Sequence, residues 1–469
     1  MISSSSWSTT NREVTEQMTD YNEDVAWLRE QIERDGVRYL LAMFVDMHGK
    51  PCAKMMPVRA LSLLLNEGAG FAGFAVGDMG QDPSDPDLLA KPDPRSYMRL
   101  PWKPEVAVLH CNPHVLGEPW PFAPRVILQN LLNQTSERGW TFKTGIEAEY
   151  NLVRRCEDGS IEVADPLDRG EKPCYEAKGL SRMWDHLVEI SDYINELGWG
   201  NYANDHEDGQ GQFEQNFDFD DAMVTADRTV FFRYMVHMIA HTRGMAATFM
   251  PKPFRHLTGN GLHTHMSMWA GEEELFASDD DSRGLGLSEM GYQFLGGLLQ
   301  HGTAMSALIA PTVNSYKRLG VTAPTSGATW APGYITYGGD NRTVMLRVPG
   351  GHIEHRGVCG SANPYLAFAA MLASGLDGID RKLEVGDPIR DNLFDKSDAE
   401  IDALGITRFP GTLLDAVREL PDDDVLRAAL GKVPDGDYVD YFAAKKEAEF
   451  RDYHSHVSPW EINKYLTNF

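Results

Sequence analysis

The stretch Gly145-Ile146-Glu147-Ala148-Glu149-Tyr150 decides the fold, because it alternates carboxylates with apolar residues. Residues two apart on an extended strand point to the same face, so Glu147 and Glu149 share one face. The apolar residues share the other face and can pack on a core. The pattern therefore predicts a strand whose acidic face lines a cleft, although the pair taken alone fits a solvated strand edge equally well.

Three other stretches repeat this spacing of two: Glu214-Gln215-Asn216, His263-Thr264-His265 and His352-Ile353-Glu354-His355-Arg356. Glu207 lies in a glycine-rich loop that leads into the first of them. Carboxylates combined with one or two histidines suit Mg²⁺ or Mn²⁺ better than zinc, whose structural sites prefer thiolates. The spacing therefore predicts a cavity that holds metal ions.

Several arginines lie downstream of these acids, and each alone is typical of a surface ion pair. Together with the acids they indicate phosphoryl transfer, in which metal ions and guanidinium groups share the charge of the moving group. The arginines are Arg318, Arg342, Arg347 and Arg356.

Composition excludes several classes of function. The chain has 469 residues and a formal net charge of −26, which repels nucleic acid and anionic membranes and favours neutral or cationic small substrates. Its five cysteines lack CxxC spacing, so no disulfide framework is predicted and the cytoplasm is the expected location. The most apolar segment, 230–250, contains Arg233 and Arg243, so no membrane role is predicted.

The length predicts two domains, because a single core stops growing well below this size. We expect a flexible N-terminus over 1–20, a small strand-rich domain over 21–120 and a catalytic domain over 121–469. The first domain should begin with a helix over Glu23–Arg34 and a hairpin whose first strand is Val37–Val45. In the second domain we predict a strand over Trp140–Val153, helices over Pro124–Arg138, Thr225–Arg243, Ser288–Leu308 and Pro364–Asp377, and a largely helical tail from Asp415.

One motif match is rejected. The segment Gly68-Ala69-Gly70-Phe71-Ala72-Gly73 fits the dinucleotide-binding pattern GxGxxG. That pattern requires a preceding strand, whereas the pattern of Arg59–Glu67 is typical of a helix. A dinucleotide site is therefore not expected here.

Six stretches in family order resemble the glutamine synthetase family, and the resemblance covers nearly the whole chain. They are Gly145-Ile146-Glu147-Ala148-Glu149-Tyr150, Ala247-Thr248-Phe249-Met250-Pro251-Lys252-Pro253, Gly261-Leu262-His263-Thr264-His265-Met266-Ser267, Asn314-Ser315-Tyr316-Lys317-Arg318-Leu319, Asn341-Arg342-Thr343 and Ala362-Asn363-Pro364-Tyr365-Leu366.

The resemblance implies an α+β fold. A small N-terminal β-grasp domain would precede a catalytic domain whose curved antiparallel sheet forms a half barrel flanked by helices. It also implies a homo-oligomer, commonly a dodecamer of two hexameric rings, with active sites between neighbouring subunits.

The resemblance further implies a reaction. ATP would phosphorylate the γ-carboxylate of glutamate, and an amine would displace phosphate from the γ-glutamyl phosphate to form an amide. Two or more Mg²⁺ or Mn²⁺ ions per site, together with arginines, would stabilise charge in both steps.

Site residues follow from matching positions. Glu149, Glu207 and Glu214 would hold one metal ion, and Glu147, His263 and Glu354 the other. The nucleotide would contact Phe219, His265, Ser267, Arg347 and the position of His352. Glutamate would contact Gly259 and Arg318, close to Glu149 and His263. Catalysis would involve Arg342, Glu354 and Arg356, of which Arg342 and Arg356 would also touch the substrate.

The sequence departs from ammonia-using members at several positions. The loop after Arg318 is two residues shorter and offers Thr322 where those members carry a catalytic glutamate. Thr258 stands where the family has a glutamate-binding asparagine. The family aspartate that helps to hold ammonium has no clear equivalent, and Glu67 is the nearest residue that aligns with it. Other family residues are replaced at Pro349, His352 and Phe394.

These departures resemble the type III branch of the family, which includes γ-glutamylmethylamide synthetases. An alkylammonium ion needs fewer acidic partners than ammonium and some apolar wall, for which Trp330, Tyr334 and Tyr337 are candidates. A position in the core is the more usual one for any single aromatic residue of this kind. Methylamine is therefore the expected amine. Ammonia is the alternative, and an inactive structural or regulatory homologue is a further one. The candidate bases are Asp205, Glu67 and Asp340.

Overall fold

The structure is a computed structural model that describes residues 6–319 and 330–469, with the backbone alone for 6–20. It forms two compact units. One consists of Met1–Asp46 and Pro51–Trp120, and the other of Met47–Lys50 and Pro121–Phe469. Among the described helices, none combines the length and the apolar character needed to span a bilayer.

The first unit is a β-grasp domain. Its helices are α1 (Ser6–Asp35) and α2 (Leu61–Asn66), and its strands are β1 (Tyr39–Val45), β2 (Pro51–Pro57), β3 (Ala69–Phe71), β4 (Leu88–Pro92), β5 (Met98–Arg99), β6 (Val106–Val115) and β7 (Glu118–Pro119). The sheet order is β2-β1-β6-β4-β3, with β1 parallel to β6 and the other pairs antiparallel. Strand β1 is mostly apolar and nearly all buried, which suits its central position. It forms the predicted hairpin with β2.

Two helices of this unit bear on predictions made from the sequence. Helix α1 begins at Ser6 rather than Glu23, so most of the segment expected to be flexible is helical. The Ser-rich start hid residues of high helix propensity, such as Glu16 and Gln17, that extend the helix. The GxGxxG segment follows helix α2, as predicted, and therefore lacks the preceding strand that the dinucleotide-binding pattern requires.

The second unit is built on a curved half-barrel sheet. Its strands are β8 (Thr141–Arg155), β9 (Ile161–Val163), β10 (Asn201–His206), β11 (Gln212–Phe217), β12 (Asp220–Asp221), β13 (Ala246–Thr248), β14 (Leu262–Ala270), β15 (Glu273–Glu274), β16 (Tyr334–Ile335), β17 (Tyr337–Gly338), β18 (Leu346–Arg347), β19 (Ile353–His355), β20 (Thr407–Arg408), β21 (Lys432–Val433) and β22 (Gly436–Asp437). The main sheet runs β10-β11-β8-β14-β19-β18-β17. All its pairs are antiparallel except β17 with β18.

Helices flank this sheet. They are α3 (Pro124–Glu137), α4 (Ala177–Arg182), α5 (Trp184–Glu196), α6 (Ala222–Thr242), α7 (Glu289–Gln300), α8 (Gly302–Ile309), α9 (Ser315–Arg318), α10 (Pro364–Arg381), α11 (Asp398–Ala403), α12 (Leu413–Glu419), α13 (Asp424–Leu430), α14 (Tyr438–Ser455) and α15 (Pro459–Tyr465). Helix α10 is almost wholly buried and packs against α3, α7 and α13. Its first turn is capped by the Asn363 side chain, which accepts the Tyr365 N–H.

The strand predicted over Trp140–Val153 is β8, which pairs with both β11 and β14 at the centre of the sheet. Its apolar residues Ile146, Ala148 and Tyr150 are at most 2% exposed, and helices α3 and α6 pack against this strand. One face of β8 therefore belongs to the core. The acidic face is left for the cavity described below.

The single helix predicted over Ser288–Leu308 is wrong. The chain forms two helices, α7 and α8, separated at His301, whose φ of −95° and ψ of 2° are not helical. The imidazole of His301 lies between two carboxylates, 2.7 Å from Asp423 and 3.0 Å from Asp377. These contacts stabilise the break, which hydrophobic periodicity alone did not indicate. The helical tail also contains the short hairpin of β21 and β22.

Candidate active site

Strand register brings the polar pairs of β8, β11, β14 and β19 together. Glu149 lies opposite Glu214, and Glu147 lies opposite His263. On the next strand, His265 lies opposite Glu354. Directly opposed residues of an antiparallel pair are about 4.5–5.5 Å apart at Cβ, so these side chains meet on one face of the sheet.

Glu147, Glu149, Glu214 and His263 line a cavity of about 480 Å³, called the metal cavity below after the metal ligands predicted for it. Five of the six predicted metal ligands line it, and so do the four predicted arginines. The lining ligands are Glu147, Glu149, Glu207, Glu214 and His263. Glu354, the sixth, is fully buried beside the cavity.

The structure groups the ligand atoms differently from the two predicted sets. Glu147, Glu214 and His263 have one ligand atom each within 4.8 Å of one another, and so do Glu147, His265 and Glu354. Glu147 belongs to both groups because β8 lies between β11 and β14. The division of ligands between two ions stays a prediction.

The acids crowd one another in the cavity. Burial and the negative charge of Glu149 raise the pKa of Glu207 to about 8. Burial and the charge of Glu147 raise the pKa of Glu214 well above its usual range. In the described part of the chain, neither carboxylate pairs with a lysine or an arginine. Buried carboxylate oxygens that lack such a partner fit the ligands of Mg²⁺ or Mn²⁺.

Glu147 has histidine partners instead. Its two oxygens lie 3.1 Å from His263 Nδ1 and 3.1 Å from His265 Nε2. Burial would raise the pKa of Glu147, but the hydrogen bonds with both histidines lower it below its usual range. Burial likewise lowers the pKa of His265, and the bond to Glu147 outweighs that effect and raises it. Glu147 is therefore ionised and held in one orientation.

Glu354 is held by two arginines. Arg356 donates to one carboxylate oxygen at 2.6 Å, and Arg347 donates to the other at 2.9 Å. Burial opposes ionisation, but the charge of Arg356 lowers the pKa of Glu354 to about 2. Arg347 also donates to Asp340, whose side chain is 89% exposed. Glu354 therefore fixes two of the predicted functional arginines toward the cavity.

A second cavity, of about 420 Å³, continues along the same strands. It is lined by four of the predicted nucleotide contacts, Phe219, His265, Ser267 and His352, whereas the fifth, Arg347, lines the metal cavity. Gly145 leaves room for Phe219, whose Cβ would lie 3.1 Å from a Cβ added at that glycine. Because Phe219 is 52% exposed, a flat ligand can reach its ring.

Sequence analysis missed two residues of this second cavity. Trp269 stacks on Phe219 with centroids 6.3 Å apart, and Lys143 Nζ lies 4.8 Å from the centroid of the Trp269 ring. The indole N–H of Trp269 donates to Ser267 Oγ at 2.8 Å, which fixes the ring. The signal was present, since His265, Ser267 and Trp269 alternate along β14 and share a face.

Two of the predicted glutamate contacts, Gly259 and Arg318, also line the metal cavity. Arg318 lines it, is 5% exposed and donates to the carbonyl of Arg356 at 3.0 Å. A Cβ at Gly259 would overlap the carbonyl oxygen of Pro251, so the close approach of these backbones requires glycine. Thr258, which replaces the family asparagine, donates to Asp208 at 2.7 Å.

The predicted apolar wall is corrected in part. Tyr334 and Tyr337 are at most 4% exposed and do not line the metal cavity, because their strands β16 and β17 turn them into the core. Trp330 does line it, together with Tyr175, which sequence analysis missed. Thr322 and the shortened loop lie in 320–329, outside the described residues.

Known proteins resemble this chain in sequence and in structure. The sequence profile of the catalytic domain of glutamine synthetase matches residues 121–465. The chain belongs to the glutamine synthetase family. The β-grasp domain and the half-barrel sheet described above are those expected for the glutamine synthetase family.

Members of the glutamine synthetase family resemble this chain over nearly its full length. It is 45% identical to a glutamate–methylamine ligase of Methyloversatilis universalis, over 93% of this chain and 98% of that protein. It is 41% identical to a glutamine synthetase of Rhizobium leguminosarum bv. phaseoli, over 92% and 97%. A solved structure of a complex of GmaS with ADP has a TM-score of 0.87 at 46% identity, covering 94% of this chain and 99% of that one.

Proposed function

We propose that this protein is an ATP-dependent ligase that forms γ-glutamylmethylamide from glutamate and methylamine. The observation that carries the proposal is its 45% identity to a glutamate–methylamine ligase over 98% of that protein. The γ-carboxylate of glutamate attacks the γ-phosphorus of ATP and displaces ADP. The amine, which enters as a cation, first gives up one proton to a carboxylate base. Its nitrogen then attacks the carbonyl carbon of the γ-glutamyl phosphate, loses a second proton and displaces phosphate.

ATP occupies the cavity of about 420 Å³. Adenine lies against Phe219, which Trp269 supports from within the same pocket. His265, Ser267 and His352 follow along the strands toward the metal cavity, so the phosphates point toward the acids. Arg347, which lines the metal cavity, contacts the phosphates from that side.

The acids hold two divalent ions, Mg²⁺ or Mn²⁺. Glu149, Glu207 and Glu214 hold one, and Glu147, His263 and Glu354 hold the other. When bound, the ions neutralise phosphate and carboxylate charge. The raised pKa values of Glu207 and Glu214 support this assignment, because a bound cation supplies the positive charge that these buried carboxylates lack.

Glutamate lies beside the metal site. Arg318 binds its α-carboxylate, and the backbone at Gly259 approaches it closely. Arg342 and Arg356 stabilise the negative charge that develops on the phosphoryl group and on the γ-carboxyl oxygens. Glu354 orients Arg356 through their 2.6 Å contact.

The amine enters as a cation, which suits a cavity rich in carboxylates. Asp205 supplies negative charge, while Trp330 and Tyr175 offer ring surface for the methyl group. A methyl group in an apolar pocket changes selectivity by only about 1–3 kcal/mol, so the choice of amine depends on few contacts.

The second candidate substrate is ammonia, which the 41% and 43% identities to two rhizobial glutamine synthetases favour. The test is kcat/KM for methylamine and for ammonium with the purified full-length protein, ATP and Mg²⁺, with products identified by mass spectrometry. We expect methylamine to be preferred. A clear preference for ammonium would overturn the methylamine assignment while leaving the ligase chemistry intact.

We also propose a cytoplasmic homo-oligomer, a dodecamer of two hexameric rings. Family resemblance supports the assembly, and the small number of cysteines without CxxC spacing supports a reducing compartment. Light scattering should give twelve times the 52.4 kDa mass of one chain. A single-chain mass for an active enzyme would contradict the assembly.

A further inference from the structure

Gln212, the first residue of β11, is fully buried next to the metal cavity. Its amide nitrogen lies 3.1 Å from Oε2 of Glu149, 3.0 Å from the carbonyl of Gly259 and 3.0 Å from Oδ1 of Asn260. Its amide oxygen accepts the N–H of Gly209 at 2.7 Å. Every polar atom of this side chain is therefore engaged.

The contacts of Gln212 join three segments that each contribute to the site. The backbone carbonyl of Gln212 also accepts the N–H of Glu207 at 2.9 Å, which closes the loop that carries Glu207. The second segment is strand β8 with Glu149, and the third is the turn that contains Gly259 and Asn260. Asn260 is itself anchored, because it donates to Asn151 at 2.9 Å.

These bonds decide which oxygen of Glu149 faces the cavity. Oε2 of Glu149 accepts from Gln212 and also from the N–H of Gly261 at 2.8 Å. The other oxygen, Oε1, lies 3.7 Å from Nε2 of His263 on the cavity side. Glu149 is thereby held with a single oxygen available to a cation.

We propose that Gln212 is a positioning residue that sets metal affinity by fixing Glu149 and the Glu207 loop in their ligating orientations. The inference rests on the metal assignment of the proposed function and is independent of the amine. Partners of metal ligands typically contribute 10–100-fold to affinity, because they hold the ligand in its binding orientation.

Gln215 provides a matched control on the same strand. It is fully buried too, and its amide bonds with Leu187, Asn204 and Tyr150 rather than with any cavity residue. Gln212→Met and Gln215→Met both replace a buried amide by an apolar side chain of similar length. They differ in whether the lost hydrogen bonds reach a metal ligand.

The test is a titration of the metal-free, full-length protein with Mn²⁺, followed by the electron paramagnetic resonance signal of the free ion. We expect Q212M to weaken one class of Mn²⁺ sites by about 10–100-fold and Q215M to keep wild-type affinity. Wild-type Mn²⁺ affinity in Q212M, or an equal loss in Q215M, would overturn the proposal. Neither result depends on amine preference, which the kinetic comparison tests separately.

Gly209→Ala tests the same contact if Q212M does not fold. A Cβ at Gly209 would lie 2.7 Å from the amide oxygen of Gln212, so the amide of Gln212 has to move. Unlike Q212M, this variant keeps the glutamine side chain itself. We expect the same class of Mn²⁺ sites to weaken by a smaller factor. Unchanged Mn²⁺ affinity in folded G209A would count against Gln212 as the positioning residue.

Discussion

At the scale of single residues, the site is a balance of charge around a few carboxylates. Glu147 is ionised by its histidines, and Glu354 by its arginines, whereas Glu207 and Glu214 lack such partners among the described residues. The proposed function assigns a cation to these acids, because a bound ion would supply the positive charge that they lack. The paired acids keep His263 and Arg356 in place beside it.

Replacing Glu147 with alanine should lower turnover by at least about 100-fold, because it removes a ligand and leaves His263 and His265 without their shared carboxylate. Product formation at saturating Mg²⁺ measures the effect. Glu162→Ala, at an exposed position on β9, is the control and should retain activity. Turnover of wild-type magnitude in the Glu147 variant would refute the metal assignment. Glu354→Ala should lower turnover to a similar extent as Glu147→Ala.

Replacing Arg342 with alanine should lower kcat by about 10²–10³-fold and change the KM for glutamate much less. Arg342 lines the metal cavity, where it can stabilise the phosphoryl group during transfer. Steady-state kinetics with varied glutamate separates the two parameters. Arg408→Ala, which removes exposed ion pairs to Asp398 and Asp402 and a hydrogen bond to the Asp398 carbonyl, is the control. A change in KM alone would contradict the assigned role.

At the scale of elements, strand periodicity allowed part of the site to be predicted from the sequence. Glu147 and Glu149 were placed on one face because strand side chains alternate. Their cross-strand neighbours depend on register between segments far apart in sequence, so Glu214 could not be assigned a place opposite Glu149 in advance. The same limit applies to Tyr334 and Tyr337, since proximity to the site along the chain does not determine depth in the core.

The stability that His301 contributes at the break between α7 and α8 should depend on pH. Burial opposes protonation of His301, but its bonds to Asp423 and Asp377 raise its pKa above the unfolded value of about 6.5. This contribution to stability is fully present below pH of about 6.5 and is lost as pH rises through the raised pKa.

His301→Gln should therefore lower the free energy of unfolding by about 1.5–3 kcal/mol at pH 6, and the deficit should narrow toward pH 9. Chemical denaturation at several pH values measures it. His454→Gln, at an exposed position on α14, is the control. A deficit that is the same at pH 6 and pH 9 would contradict a charged His301.

At the scale of the whole molecule, the fold and the family were predicted from the sequence, whereas the pairing of ligands with ions stays a prediction. Family motifs such as Gly261-Leu262-His263-Thr264-His265 identify the architecture because their order is specific. The buried amide of Gln212 has no such signal, because glutamine in a strand is common. Its role depends on contacts that only the folded chain brings together.

Removal of metal should make the stability of the whole protein depend on pH. Because the pKa of Glu207 is raised to about 8, the folded metal-free protein binds more protons than the unfolded chain above pH of about 4.5. That contribution is fully present below pH of about 4.5 and is lost as pH rises through about 8. Mg²⁺ binds the ionised acids, so its stabilising effect should grow over the same range.

Thermal unfolding in chelator and in Mg²⁺ at pH 6, 7 and 8 measures this difference. The gain in Tm from Mg²⁺ should increase with pH, and Glu207→Gln should reduce that increase. An equal gain at all three pH values would mean that proton release from these acids does not accompany binding.

The spacing of residues along strand β8 sets distances within the site. Gly145 lines the cavity proposed for the nucleotide, and Glu147 and Glu149 line the cavity proposed for the metal ions. The backbone spacing of about 3.4 Å per residue sets the distance between them. Loops around the site can vary without changing this distance. One residue inserted between Gly145 and Glu149 would shift the register and turn the carboxylates beyond it into the core, so the spacing along this strand cannot be altered in single steps.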